Sequence, residues 1–217
     1  MSESELVPAA KNSALALSQL ELASSHSLAD RVRDTLLFVV SGSGTLTLGK
    51  EDHTVTTGSA ALVLAGEEAE IAPDGALAVL RASIGQEADR HAPLGPREVV
   101  TRLDAASSES ATGSRSYQVL FGPGNGSTRA TLFAGYLPPG RAPWHFHLYD
   151  EIVWVRDGPG RLHLAGGVDE LDTGSAFRLR PRQVHIVENA SPDRELSVVG
   201  VFTPAGSPSA AYLAPEP

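Results

Sequence analysis

The 217-residue chain carries 17 basic and 26 acidic residues, a formal charge of −9, and no cysteine. That balance disfavours nucleic acid and anionic membrane as partners, and the missing thiols exclude disulfides, thiolate metal sites and cysteine nucleophiles. Hydrophobic residues make up 41% of the chain beside 21 glycines and 15 prolines, a composition that buries a core, favours turns and disfavours long helices.

Residues 1–13 read as a polar arm. The opening MSESELVPAAKNSALAL has neither a basic n-region nor a long apolar run, so no signal peptide is expected. No stretch approaches the length of a membrane span, and a cytoplasmic location is the default. From Ala14 onward, short apolar runs with period-2 character alternate with Gly, Pro, Ser and Asp clusters. They include ALALSQLEL (14–22), TLLFVV (35–40), GTLTL (44–48) and AALVLA (60–65), then YQVLF (117–121), ATLFAGYL (130–137), EIVWV (151–155), RLHL (161–164), AFRL (176–179) and ELSVVGVF (195–202). Runs this short, punctuated by turn signals, predict an all-β sandwich or barrel without amphipathic helices. Gln86–Gly113, rich in Asp, Ala, Ser, Pro and Arg, reads as a linker, which divides the chain into domains 1–100 and 101–217. FGPGNGS (121–127) lacks the Gly-Lys-Ser/Thr and the helix of a phosphate loop and reads as a hairpin loop. There is no G-x-S-x-G elbow for a serine hydrolase.

Slid by 116 residues, Asp34–Ala60 lies without a gap on Asp150–Ala176. Gly42, Gly44, Leu46, Leu48 and Thr57-Gly58-Ser59-Ala60 then meet Gly158, Gly160, Leu162, Leu164 and Thr173-Gly174-Ser175-Ala176. Matching turn glycines in matching apolar phase predict two copies of one supersecondary unit.

The second copy follows the chemically richest stretch. His145, His147 and Glu151 are spaced H-x-H-x₃-E, and on a continuous strand from Trp144 to Val155 they share one face. Two imidazoles and a carboxylate suit a first-row transition metal, and His185 is the candidate fourth ligand from another strand. Their counterparts in the first copy are Ala29, Arg31, Thr35 and Ala69, so the N-terminal copy is expected to hold no metal. If the two-residue turn Gly158-Pro159 joins its flanking strands, Leu162 and Leu164 face the ligands and His163 points away; a three-residue turn reverses this. The Leu46–Thr47–Leu48 pattern favours the outward placement. Tyr149 falls on the ligand face by strand parity. Tyr149 and Asn189 flank ligands and either tune them from behind or, for Tyr149, serve as a rim aromatic. Phe133, Val153 and Phe177 read as barrel lining or core. His26, His53 and His91 read as surface.

These residues resemble the cupin superfamily. Its first motif, G(X)₅HXH(X)₃₋₄E(X)₆G, is met by Gly140, His145, His147, Glu151 and Gly158, with the first gap one residue short. Its second, G(X)₅PXG(X)₂H(X)₃N, is met at Gly174, His185 and Asn189. Proline there falls one place late at Pro181, and Arg182 stands where glycine is usual. The resemblance covers Ala130–Pro204 strongly and Asp34–Ala60 through the repeat. It implies a bicupin of two tandem double-stranded β-helix (jelly-roll) barrels, degenerate in 1–100 and carrying one metal through His145, His147, Glu151 and His185 in 101–217. The ion expected is Fe, Mn, Co, Ni, Cu or Zn.

Two mechanisms are compatible with that site: reaction of a chelated enol or enediol with O₂, or Lewis-acid polarisation supporting isomerisation, cyclisation, decarboxylation or hydrolysis. The resemblance favours a dioxygenase-type oxidoreductase acting on a small oxygenated molecule, with Glu151 and Tyr149 as catalytic candidates. The alternative is a non-catalytic small-ligand binding module, although no helix-turn-helix segment accompanies it. Cupins often dimerise through barrel edges, so a homodimer is compatible. Metal affinity is expected to fall below about pH 6.5, the free imidazole pKa.

Overall fold

The computed structural model describes residues 1–11, 13–111 and 114–217; Asn12 of the predicted arm and Thr112 and Gly113 of the predicted linker lie outside the described residues. Strands dominate, and no α-helix occurs among the described residues. The first ten strands are β1 (Ser2–Val7), β2 (Leu15–Leu22), β3 (His26–Ser27), β4 (Arg33–Ser41), β5 (Ser43–Leu48), β6 (Glu51–Thr56), β7 (Ser59–Val63), β8 (Ala69–Pro73), β9 (Leu77–Gly85) and β10 (Val100–Arg102). They build an outer sheet ordered β3-β8-β5-β6 and an inner sheet ordered β1-β2-β9-β4-β7-β10. The remaining strands are β11 (Glu109–Ser110), β12 (Ser116–Phe121), β13 (Thr131–Leu137), β14 (His145–Phe146), β15 (Asp150–Asp157), β16 (Gly160–Leu164), β17 (Gly167–Leu171), β18 (Ala176–Leu179), β19 (His185–Asn189), β20 (Leu196–Thr203) and β21 (Tyr212–Leu213). These form an inner sheet, β11-β12-β13-β20-β15-β18, and an outer sheet, β17-β16-β19-β14-β21. Each outer sheet faces its inner sheet across an apolar interior without closing into a ring.

The two inner sheets pack against each other, and this explains the unbroken apolar runs. Along β4, Leu36 and Phe38 enter the core shared by the two inner sheets, while Leu37 and Val39 fill the N-terminal interior. Along β15, Ile152 and Trp154 enter the shared core while Val153 and Val155 fill the C-terminal interior. A strand buried on both faces has no polar alternation to show. The outer strand β5 alternates buried and half-buried residues over Ser43–Thr47, because only one of its faces is covered.

The 116-residue repeat is visible in strand register. Leu46 pairs with His53 and Ile71, as Leu162 pairs with Asp169 and Val187. The irregularity between Val39 and Ser41 recurs between Val155 and Asp157. A Cβ on Gly44 would stand 2.4 Å from the Ala72 carbonyl oxygen, and one on Gly160 2.9 Å from that of Glu188, so both copies need glycine where one strand crosses close to its neighbour. The copies also grip each other reciprocally. Buried Asp34 pairs with Arg129 at 3.5 Å, and its counterpart Asp150 accepts from Ser13 Oγ. Ser13 in turn lies 116 residues before Arg129, a pattern expected of a pseudo-twofold contact.

Three local expectations change. The predicted polar arm contains β1, which pairs with β2 through backbone bonds that its exposed Ser and Glu side chains do not reveal. The predicted linker contributes β10, an edge strand beside β7. The Gly158-Pro159 turn does not close a paired hairpin: β15 lies in the inner sheet and β16 in the outer one. The turn carries the chain from one sheet to the other, a step that periodicity cannot distinguish from a hairpin.

Candidate metal centre

The stretch from Trp144 to Val155 is not one continuous strand. His145 lies on β14 in the outer sheet, His147 just after it and before the bend at Leu148 and Tyr149, and Glu151 on β15 in the inner sheet. The corner between sheets brings them together. His185 opens β19 directly opposite His145. The ring centroids of His145 and His185 are 4.5 Å apart, those of His147 and His185 4.9 Å, and His147 Nε2 lies 2.8 Å from Glu151 Oε2. All four side chains are buried. Gly200 on β20 leaves room beneath the carboxylate: an added Cβ would stand 3.2 Å from Glu151 Oε1 and overlap Phe133.

Backbone carbonyls orient the imidazoles. Nδ1 of His145 bonds to Pro143 O at 3.0 Å, of His147 to Tyr149 O at 3.3 Å, and of His185 to Gln183 O at 2.8 Å. A carbonyl only accepts, so each Nδ1 carries the proton and each Nε2 presents a bare lone pair. His147 Nε2 is buried without a hydrogen-bond partner, facing a carboxylate oxygen that also only accepts. Two acceptors at that distance repel unless a cation or proton lies between them. The donor set thus fits a divalent transition metal. Among the described residues no group of three or more His, Cys, Asp or Glu side chains forms a ready-made cation cage.

The turn before His185 keeps its usual shape at a cost. Arg182 adopts φ +64°, the left-handed conformation that glycine supplies, and its N–H donates to His147 O at 2.7 Å. A non-glycine residue there costs about 1–2 kcal/mol, partly offset by the greater freedom that glycine loses on folding. Because the side chain is exposed, Arg182→Gly should stabilise the protein by up to about 1 kcal/mol, read as a higher urea midpoint. An unchanged midpoint would show that the turn is unstrained.

Burial pulls the His185 imidazole down to about 3, and the neighbouring His145, His147 and Arg115 push the same way. His145 is lowered too, chiefly by burial. The fall in metal affinity expected below about pH 6.5 therefore moves to lower pH. For the metal-free protein the sign is definite. Above pH 6.5 folded and unfolded His185 are both neutral; between 6.5 and about 3 only the unfolded chain takes the proton. Stability should drop through that window at up to about 1.4 kcal/mol per pH unit for this group. Urea midpoints from pH 7 to 4 test this, and His185→Asn should flatten the slope; equal slopes would refute it.

Tyr149 stacks on His147 (4.1 Å, 10°) and on Phe202 (4.0 Å, 22°), and its hydroxyl donates to Pro208 O at 3.2 Å. Burial and the adjacent Glu151 carboxylate push its pKa up, so the phenol keeps its proton. Asn189 does not touch the imidazoles. Its amide donates to Leu137 O and Arg194 O and its oxygen accepts from Ser191 N–H, which ties β19 to adjoining loops. His163 points away from the site, bonded to Glu188, because Leu164 and not His163 pairs beside His185. Phe133 and Val153 line the cavity; Phe177 packs in the core behind it. His26 and His53 are half-buried rather than superficial, and His91 is exposed. Register places His26 and His53 beside the inward Ile71 and Leu46, at opposite edges of the N-terminal outer sheet.

The four residues open onto a cavity of about 110 Å³ walled by apolar side chains such as Leu137, Leu179 and Val198. Its other charged lining residue besides Glu151 is Arg115, whose pKa is lowered by burial and raised by Glu151 and Tyr149. Arg115 was not legible in the sequence. It sits in the polar stretch TGSRS with no motif around it, and only the β12 pairing carries it to the mouth. In the N-terminal barrel the counterpart positions Thr35 and Ala69 are buried among Leu20, Leu37, Leu46 and Val79.

Comparison with known proteins agrees with this architecture. Residues 133–202 match the family described as Cupin domain. No curated protein matches the sequence. Among solved structures, a glyoxylate-induced protein from Pseudomonas aeruginosa aligns at TM-score 0.76 and 17% identity, covering 92% of this chain and 79% of that one. A variant of Bacillus subtilis oxalate decarboxylase aligns at 0.75 and 13%, covering 93% and 71%. A cupin 2 conserved barrel domain protein from Leptotrichia buccalis aligns at 0.65 and 14%, covering 93% and 89%. At these identities the likeness establishes the fold. The domain match over the second barrel and the tandem jelly-roll architecture make residues 133–202 a cupin domain within a chain of bicupin fold.

Proposed function

We propose that the C-terminal barrel binds one divalent transition metal through Nε2 of His145, His147 and His185 and a carboxylate oxygen of Glu151, and transforms a small oxygenated molecule there. The observation that carries this reading is the orientation of three imidazoles by backbone carbonyls, with the buried Nε2 of His147 lacking a hydrogen-bond partner. When bound, the metal supplies either redox contact with O₂ or Lewis-acid polarisation of a substrate oxygen. The protein supplies the rest. Glu151 holds or accepts a proton at its free oxygen. Tyr149, kept protonated, orients His147 by stacking, and the apolar walls exclude water.

The leading reading is a dioxygenase-type oxidoreductase. A second reading, non-redox turnover of a carboxylate such as decarboxylation, is favoured by Arg115 on the cavity wall, because a divalent ion, Glu151 and Arg115 leave the site net positive. The structural likeness to oxalate decarboxylase supports the same reading.

Metal content per chain, measured by plasma mass spectrometry on protein never exposed to chelator or a nickel column, tests the assignment. About one equivalent of iron, manganese, copper or nickel together with substrate-dependent oxygen uptake supports the first reading; one equivalent of zinc, or turnover without oxygen uptake, supports the second. Two equivalents would overturn the single-site assignment. None, unrecovered by added metal, would overturn the metal site.

A further inference from the structure

We propose that residues 206–213 form a hinged wall over the cavity, latched by the Tyr149 hydroxyl, which selects the molecules that reach His145, His147 and His185. The proposal rests on the metal-centre reading only for what lies beneath the wall. After β20 the chain turns back across the mouth of the barrel, and Pro208, Ser209 and Ala211 complete the lining of the cavity. From Gly206 to Leu213 no residue is buried, and the half-exposed Tyr212 ring against Phe146 is the segment's aromatic contact.

Its attachments are few. Thr131 Oγ1 bridges Gly206 N and O at 3.0 and 2.9 Å. Ser207 Oγ lies 3.5 Å from the Tyr117 hydroxyl, and Tyr149 Oη donates to Pro208 O at 3.2 Å. Beyond these, the two-residue strand β21 pairs with β14, where Tyr212 stacks on Phe146 at 5.4 Å and 17°. A segment with exposed side chains and isolated hydrogen bonds opens at far lower free energy than the surrounding barrel. Thr131 fixes the near end, which makes Gly206 the hinge.

What opening would join is also defined. Tyr117 and Pro208 border both the inner cavity and an outer groove lined by His91, Leu94 and Glu109. One thin wall separates the two. Closed, it leaves about 110 Å³ beside the imidazoles, room for a ligand of only a few heavy atoms. Open, it joins the cavity to the groove and admits longer molecules. The same motion releases the Tyr149 hydroxyl from Pro208 O, leaving its proton free to hydrogen-bond an incoming oxygen. The latch and a substrate therefore compete for one donor, and His145 feels the change because its backbone pairs with Leu213.

The absence of cysteine permits a reversible staple. Phe146 and Tyr212 stand directly opposite, and an antiparallel pair has the separation a disulfide spans. In the metal-free Phe146→Cys/Tyr212→Cys protein, Co²⁺ uptake followed by visible absorption should be at least tenfold slower oxidised than reduced with a phosphine. Equal rates would overturn the gate. Independently, Tyr149→Phe keeps the ring and removes the latch. Amide hydrogen exchange over residues 206–214 should then rise at least tenfold, with β15 and β20 unchanged; unaltered exchange would overturn the latch. If Co²⁺ binds neither form, the metal reading fails while the exchange measurement still decides the wall.

Discussion

His185→Ala should purify as a folded protein with metal content near zero, whereas His163→Ala keeps the full complement. Both positions lie on paired strands of the outer sheet of the second barrel and both side chains are buried, so the pair separates ligand loss from damage to the barrel. In the proposed site His185 supplies one of three Nε2 donors, and its Nδ1–Gln183 bond fixes the ring. Mutating an outer partner of a ligand costs about 10- to 100-fold in affinity, and removing the ligand itself should cost more. Loss of this neutral imidazole also leaves His147 Nε2 beside Glu151 with less chance of a shared cation. Plasma mass spectrometry and circular dichroism on the two variants give the result. Full metal in His185→Ala would refute the ligand set, and loss of metal in His163→Ala would place the site on the opposite face of the sheet.

Phe121→Ala should destabilise the whole chain by about 3–5 kcal/mol, the usual cost of truncating a buried phenylalanine. Phe121 is wholly buried in the core between the inner sheets, among Leu36, Leu62 and Ile84 of one copy and Leu132, Ile152 and Val199 of the other. That loss is a large fraction of the total stability of an ordinary domain. Because each inner sheet buries its outer face only against the other, the two barrels should unfold together. Trp154 lies in the same core and Trp144 beside the outward His163, so intrinsic fluorescence under urea reports both regions. Expected is one transition at a reduced midpoint. Two separated transitions, or a loss below about 1 kcal/mol, would mean that the barrels are stable singly and the shared core is incidental.

The sequence by itself determined the features that local periodicity and spacing carry. Every apolar run named from Ala14 to Phe202 coincides with a strand, because alternating or continuous apolar residues leave an extended chain little choice of face. The repeat was legible because Gly44 and Gly160 answer the same close approach, and residues bound by a shared steric demand stay in step. The spacing of His145, His147, Glu151 and His185 was legible as a set of metal-type donors, and the structure brings those four side chains together.

Tertiary structure decided what depends on distant chain segments. Ligand convergence does not follow from one strand's parity: the chain breaks between His147 and Asp150 and changes sheet, so the imidazoles and the carboxylate meet across a corner. β1 exists because β2 offers it an edge, a pairing of backbone groups that its polar side chains do not announce. Arg115 and residues 206–213 join the cavity through sheet pairing and chain return, which leave no periodic mark. Side-chain pattern encodes which face of a segment seeks cover, but the partner that covers it is chosen by long-range backbone hydrogen bonding and by the stacking of one sheet on another.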